Sequence, residues 1–380
     1  MRGVESTVKS VAPNTTLSSV SASGHPLVLS VVFGGQSEEH EISLRSAQAV
    51  LAQLDRARYD VRLAGVTREG RWLGAEGSAR LLEGKPPLES GTSPRLPPGT
   101  ECVFPVMHGP CGEDGTLQGW LELLGVPFVG SRCTGAALAM DKSLSKHVLR
   151  SAGVPVVAWT DVHASEWRAR PQAIVAEVLR ARGLPCFVKP ARLGSSVGIS
   201  KASTEAELRA GLDEAFRHGE YVLVEPAVSD PRELEVAVLD GSPPVVSMPG
   251  EIRIKEGWYD YANKYQNDSA EMFVPALDLP AALSDHLRDM ALRAFRLLRL
   301  SGFARVDFLM DAKTGRFYLN EVNAIPGFTS ISMFPRLMIH AGVSFPEICD
   351  RLVELAMSQR AVQPSNIPAT ERVAHLAAGV

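Results

Sequence analysis

The chain has 380 residues, 45% hydrophobic and 22% charged, enough for two or three packed domains of ordinary globular composition rather than a fibre or a solvated tail. Lys and Arg number 39 against 43 Asp and Glu, so there is no global positive excess to hold a nucleic-acid backbone by counterion release. The five cysteines (Cys102, Cys111, Cys133, Cys186, Cys349) are odd in number, far apart and without a C-x-x-C pair, which suits reduced thiols in a cytoplasmic setting better than a disulfide framework or a zinc site.

Residues 1–26 are Ser- and Thr-rich and lack the unbroken apolar run of a secretory signal, so they read as a disordered leader. No stretch approaches the ~20 apolar residues that cross a bilayer, so no membrane partner is expected. The run Leu27-Val28-Leu29-Ser30-Val31-Val32-Phe33 predicts a strand buried on both faces, ending at Gly34-Gly35. Leu44, Ala47, Leu51 and Leu54 then fall at helical spacing, with Glu38, Glu39 and Glu41 at the start of the stripe. Strands are expected over Cys102 to Met107 and Val126 to Val129, with a helix around Leu117 to Leu124 closed by Gly125. Residues 75–100, rich in Gly, Pro and Ser, read as a surface excursion. One α/β domain therefore spans 27–138.

A helix from about Ala137 to Ala152 leads to a strand Pro185 to Val188 that ends in Lys189, and strands and helices alternate to about Ala356. Residues 359–380 read as a loose tail.

The most informative stretch runs from Phe303 to Asn323. It reads as a β-hairpin turning at Asp311-Ala312-Lys313-Thr314-Gly315, which sets Asp307 opposite Glu321. The two-residue period puts Arg305 with Asp307, and Glu321 with Asn323, on shared faces. Two close carboxylates repel unless a cation lies between them. A hard cation bridging nucleotide phosphates, Mg²⁺ rather than zinc, is the usual answer. The alternative is a solvated hairpin with its charges on the wet face.

Lys189-Pro190-Ala191-Arg192-Leu193-Gly194-Ser195-Ser196-Val197-Gly198 is a small-residue loop directly after an apolar strand, able to aim backbone N–H groups at phosphate oxygens while Lys189 supplies charge. A plain Gly-Ser turn is the alternative. Neither G-x-x-x-x-G-K-[ST] nor G-x-G-x-x-G occurs, so any nucleotide is held outside those two geometries. Asp141-Lys142 opens a helix, and Glu225 and Glu233 lie around Val224 to Val236; each alone reads as a surface charge. Glu39, just past a glycine turn, can hold an ammonium group. His40-Glu41 invites a zinc reading, but the fifth position of H-E-x-x-H is Leu44. His108 stands at the C-terminal end of a strand, where open α/β sheets meet ligands, with a packed or capping histidine as the alternative. Trp258-Tyr259-Asp260-Tyr261-Ala262-Asn263-Lys264-Tyr265 gathers aromatics around a lysine and suits a lid.

Together these residues resemble the D-alanine:D-alanine ligases of the ATP-grasp superfamily. The resemblance runs in order from Gly34-Gly35-x-Ser37-x-Glu39-His40 through His108-Gly109, Gly112-Glu113-Asp114-Gly115-Thr116, Met140-Asp141-Lys142, Lys189-Pro190, Gly194 to Gly198, Pro249-Gly250-Glu251, Tyr259-Asp260-Tyr261, Lys264-Tyr265, Arg305-Val306-Asp307, Asn320 to Asn323 and Pro326-Gly327. It implies a Rossmann-like domain over 27–138 and a two-part ATP-grasp domain, 139–224 and 225–358, with a lid loop at about 251–272. It implies ATP and two Mg²⁺ ions, for which Mn²⁺ can substitute, and a homodimer acting on D-alanine. Lys142, Lys189, Ser195, Ser196 and Lys264 would meet phosphates, Glu225, Val228 and Glu233 adenine and ribose, and Asp307, Glu321 and Asn323 the metal. Glu39 would take the first ammonium and form a set with Ser195 and Tyr265. Arg305 and the Gly327 N–H would stabilise an oxyanion. His108 would be a positioning group or proton acceptor, and Ser332 would bind the second carboxylate. Pro226 and the Ser229-Asp230-Pro231 segment depart from the family pattern near the adenine contacts.

Other readings stand beside this one. Ser143-Leu144-Ser145-Lys146, Tyr261-Ala262-Asn263 and Lys313-Thr314-Gly315 match motifs of penicillin-binding serine hydrolases, although this K-T-G falls in a turn. A second substrate of D-lactate or D-serine, or a nucleotide-binding module without turnover, are the further alternatives.

Overall fold

The computed structural model describes residues 24–254 and 270–360. The expected lid motif Tyr259-Asp260-Tyr261, with Lys264 and Tyr265, lies outside the described residues.

Strands β1 (Leu27–Gly34), β2 (Tyr59–Val66) and β3 (Cys102–Pro105) form a parallel sheet in the order β2-β1-β3. Leu29, Val31, Val32 and Phe33 are fully buried, so β1 is covered on both faces as its unbroken apolar run requires. It ends at Gly34, where φ is +92° and a Cβ would sit 2.1 Å from the Val66 carbonyl oxygen. Only glycine fits there. The chain then enters helix His40–Gln53, whose Leu44, Ala47 and Val50 pack on the sheet.

Three local expectations need correction. The strand over Val126 to Val129 reduces to one parallel bridge between Val103 and Phe128, because Pro127 has no N–H to continue a ladder. Residues 75–100 are not wholly irregular, since Ala75–Leu82 is a helix. The single helix from Ala137 to Ala152 is two, Cys133–Met140 and Lys142–Ser151, broken at Asp141. Asp141 has extended backbone, and its carboxylate accepts from the Leu144 N–H at 3.0 Å. Capping thus outcompetes helix continuation.

The second sheet is antiparallel, built from β4 (Thr160–His163), β5 (Cys186–Pro190), β6 (Ser200–Ala202) and β7 (Tyr221–Pro226) in the order β4-β7-β5-β6. Helices Pro171–Arg182 and Glu205–Ala215 close its core around Val178, Val188, Leu208, Leu212 and Val224.

The third sheet contains β8 (Pro231–Leu239), β9 (Val245–Val246), β10 (Gly250–Ile254), β11 (Ala270–Phe273), β12 (Phe303–Asp311) and β13 (Phe317–Asn323). Its order is β11-β10-β8-β12-β13, with β9 paired to β8. Helix Ala281–Leu297 covers one face through Leu287, Ala291 and Ala294. Phe303, Phe328, Phe334 and Phe345 stack edge and face in a core shared with the first sheet. The last helix, Phe345–Arg360, joins that core, and its Asp350 accepts from Tyr59 Oη at 2.8 Å. The end of the described chain is therefore tied to the first sheet.

Candidate active site

A cleft of about 980 Å³, counting its open mouth, separates the second sheet from the third. Its lining includes Lys142, Lys189, Ser196, Glu225, Val228, Glu233, Asp307 and Glu321, all singled out from the sequence.

Each lysine is placed by the element that carries it. Lys142 opens the helix capped by Asp141; its Nζ donates to the Leu193 carbonyl at 2.5 Å and lies 3.5 Å from Glu321 Oε2. The tie to Leu193 fixes Lys142 to the Gly-Ser loop. Lys189 ends the apolar part of β5 and reaches Glu225 Oε2 on neighbouring β7 at 2.7 Å and Asn320 Oδ1 at 3.3 Å. Glu225 is buried, and burial alone would push its carboxyl up; Lys189 and Lys146 instead pull it down to about 2.

The hairpin forms in the expected register, Asp307 facing Glu321 and Arg305 facing Asn323, with a bulge after Asp307. Arg305 clasps both oxygens of Asp307, at 2.7 Å each, and its Nε is 3.0 Å from Glu235 Oε2. Asn323 donates to Asp307 Oδ2 at 2.9 Å. Among the described residues no three His, Cys, Asp or Glu side chains form a metal cage. The candidate set is two carboxylates and an amide, leaving room for phosphate oxygens to complete a shell.

A second group of residues closes on the end of the first sheet. Ser195 Oγ donates to Glu39 Oε1, and a Cβ on either Gly109 or Gly194 would stand 2.9 or 3.0 Å from Glu39 Oε2. Glycines thus flank the carboxylate and leave it approachable. Ser195 and Ser196 both have positive φ, 49° and 60°, backbone that non-glycine residues adopt rarely. His40, set aside as a zinc ligand, is buried against Gly35, its Nδ1 2.7 Å from that carbonyl oxygen.

His108 is buried with both ring nitrogens engaged: Nε2 lies 2.9 Å from Ser46 Oγ, and Nδ1 lies 3.0 Å from Glu113 and 3.1 Å from the Ile325 carbonyl. Burial pushes the imidazole down, but the Glu113 carboxylate, helped by Glu39 and the Ile325 carbonyl, more than offsets this and raises it above its ordinary value. Burial also drives Glu113 up to about 7. Ser332 Oγ accepts from the Thr329 N–H at 3.1 Å and stands close to Gly327, where a Cβ would approach it to 3.0 Å.

Sequence reasoning missed Lys146, Glu235, Asn320 and the part played by Glu113. Lys146 carried a signal, since it lies one helical turn beyond Lys142. The S-x-x-K reading fails here: Ser143 Oγ donates to Asp161 at 2.6 Å, whereas Lys146 is turned inward to Glu225 at 2.8 Å.

The family profile described as "D-ala D-ala ligase N-terminus" matches residues 28–131, and "D-ala D-ala ligase C-terminus" matches 148–354. The chain belongs to the D-alanine–D-alanine ligase family. Among relatives of this ligase family, the D-alanine–D-alanine ligase of Deinococcus radiodurans is 47% identical over 335 residues, covering 87% of this chain and 98% of the relative. That of Heliobacterium modesticaldum is 40% identical, covering 92% and 99%. Of solved structures, the D-alanine-D-alanine ligase from Coxiella burnetii superposes with a TM-score of 0.76 at 34% identity, covering 94% of this chain and all of that one. The VanG D-Ala:D-Ser ligase from Enterococcus faecalis reaches 0.75 at 34% identity, covering 87% and 99%. These likenesses identify the fold as that of the family, a parallel first sheet followed by two antiparallel sheets.

Proposed function

We propose that this family member joins two D-alanine molecules into D-alanyl-D-alanine, releasing ADP and phosphate, as a cytoplasmic homodimer supplying peptidoglycan synthesis. The observation that carries the reading is the meeting of Lys142 and Lys189 with Asp307, Glu321 and Asn320 across one cleft, cations on one wall and hard oxygen donors on the other. That arrangement suits a polyphosphate.

Asp307, Glu321 and Asn323 fit Mg²⁺ by donor chemistry, because all three offer oxygen and the set holds neither imidazole nor thiolate. What two bound Mg²⁺ ions, or Mn²⁺, would supply there is positive charge against the phosphoryl group in transfer. The chain's own groups do the rest. Lys142, Lys189 and Lys264, with the backbone at Ser195 and Ser196, hold the phosphates; Glu225, Val228 and Glu233 hold adenine and ribose. Glu39 takes the ammonium of the first D-alanine, within a set completed by Ser195 and Tyr265. The carboxylate oxygen of that D-alanine attacks the γ-phosphorus, the bond to ADP breaks, and an acyl phosphate of D-alanine forms. The amine of the second D-alanine, oriented by Ser332, attacks the acyl carbon, and phosphate leaves with the former carboxylate oxygen and takes up the proton that the amine gives up. Arg305 and the Gly327 N–H face the oxyanion. His108, with both ring nitrogens already engaged, acts as a positioning group that holds the Ile325 backbone leading to Gly327.

Domains over 27–138, 139–224 and 225–358 accompany this reading, the last helix packing back on the first sheet. D-serine as the second substrate is the one rival with a specific observation behind it, the likeness to the D-Ala:D-Ser ligase. D-alanine labelled with ¹⁸O in its carboxylate tests the chemistry. One labelled oxygen should appear in each phosphate released, and unlabelled phosphate would exclude the acyl-phosphate route.

A further inference from the structure

Lys146 has no part in the mechanism above, yet it is among the most deeply buried charges in the protein, 1% exposed. It projects from helix Lys142–Ser151 one turn past Lys142. Its Nζ lies 2.8 Å from Glu225 Oε1, donates to the Val157 carbonyl at 3.3 Å, and sits 5.8 Å from the Trp159 ring centroid. The other oxygen of Glu225 takes Lys189, which goes on to Asn320. Burial pushes the Lys146 ammonium down, and Glu225 only partly pulls it back. Apolar side chains of similar volume in place of both Lys146 and Glu225 would fill this space without that desolvation cost, so stability alone does not call for the pair. Geometry gives a better reason. A carboxylate gripped by two cations, one per oxygen, has a single orientation, and Glu225 is the strand residue that holds Lys189 at the cleft wall.

We propose that Lys146 is a positioning residue for the nucleotide: it fixes the Glu225 carboxylate and, through it, the Lys189 ammonium in the cleft. The proposal rests on the ligase reading only in taking ATP as the nucleotide.

The test is a double-mutant cycle in the full-length protein, comparing Lys146→Met, Glu225→Gln and the double variant. ATP dissociation constants are measured with Mg²⁺ and without D-alanine, alongside steady-state kinetics and Tm. Lys146→Met should raise Kd and KM for ATP by about thirtyfold or more, while KM for D-alanine stays within about twofold. Because Lys146 acts through Glu225, adding Lys146→Met to Glu225→Gln should cost less than about a further threefold. A lowered Tm with unchanged ATP binding, or effects that multiply in full, would overturn the proposal. Should Lys146→Met not fold, Lys146→Gln takes its place in the cycle, keeping a donor to Glu225 without the charge. Since binding is read without D-alanine, a wild type that binds ATP but forms no dipeptide would sink the ligase reading and leave this proposal standing.

Discussion

At the residue scale, the clearest consequence concerns the buried Glu113 beside His108. Glu113 ionises ordinarily near 4.5 and in the folded protein at about 7, so the folded state binds a proton more tightly than the unfolded chain. Its stabilising contribution is therefore full below about 4.5 and is lost as pH rises through about 7; His108, also raised, acts with the same sign. Replacing Glu113 by Gln should flatten the stability profile between pH 5 and 8 by on the order of 2–3 kcal/mol, measured as urea unfolding free energies at both ends. Equal slopes for wild type and variant would refute the assignment. His108 and Glu113 were both visible in the sequence, within His108-Gly109 and Gly112-Glu113-Asp114. Their coupling was not, because Ser46 and Ile325, which hold the ring from the other side, come from far along the chain.

At the element scale, legibility followed the range of the contacts. The hairpin of β12 and β13 could be placed from the sequence because its pairing is local: the turn fixes the register, and the register sets Asp307 against Glu321. The break between helices Cys133–Met140 and Lys142–Ser151 was legible only in part: Asp141-Lys142 reads as a helix start, yet the apolar pattern runs across Asp141 and suggests one continuous helix. That cap sets the start of the helix that carries Lys142 to the cleft and Lys146 to Glu225. Asp141→Ala should cost about 1 kcal/mol in urea unfolding and weaken ATP binding, while Asp141→Asn, which can still accept from Leu144, should keep most of both. An alanine variant as stable as wild type would show that the helix start is set by something else.

At the scale of the whole molecule, the candidate site belongs to no single element. Glu39 comes from the turn that caps the first helix, Ser195 from the loop after β5, Lys142 from a helix start, and Asp307 and Glu321 from the last hairpin. Their chemistry could be anticipated from residue type and order, but not Lys146 or Glu235, whose significance lies in ion pairs with residues far along the chain, Glu225 on β7 and Arg305 on β12. The most direct measurement is therefore on the assembled protein: ATP, Mg²⁺ and D-alanine, following phosphate and condensed product together by mass spectrometry, with D-serine, D-lactate and L-alanine in parallel. The account predicts D-alanyl-D-alanine and phosphate in equal amounts from D-alanine alone. Phosphate or ATP binding without any dipeptide, or mixed product only when D-serine or D-lactate is supplied, would contradict it.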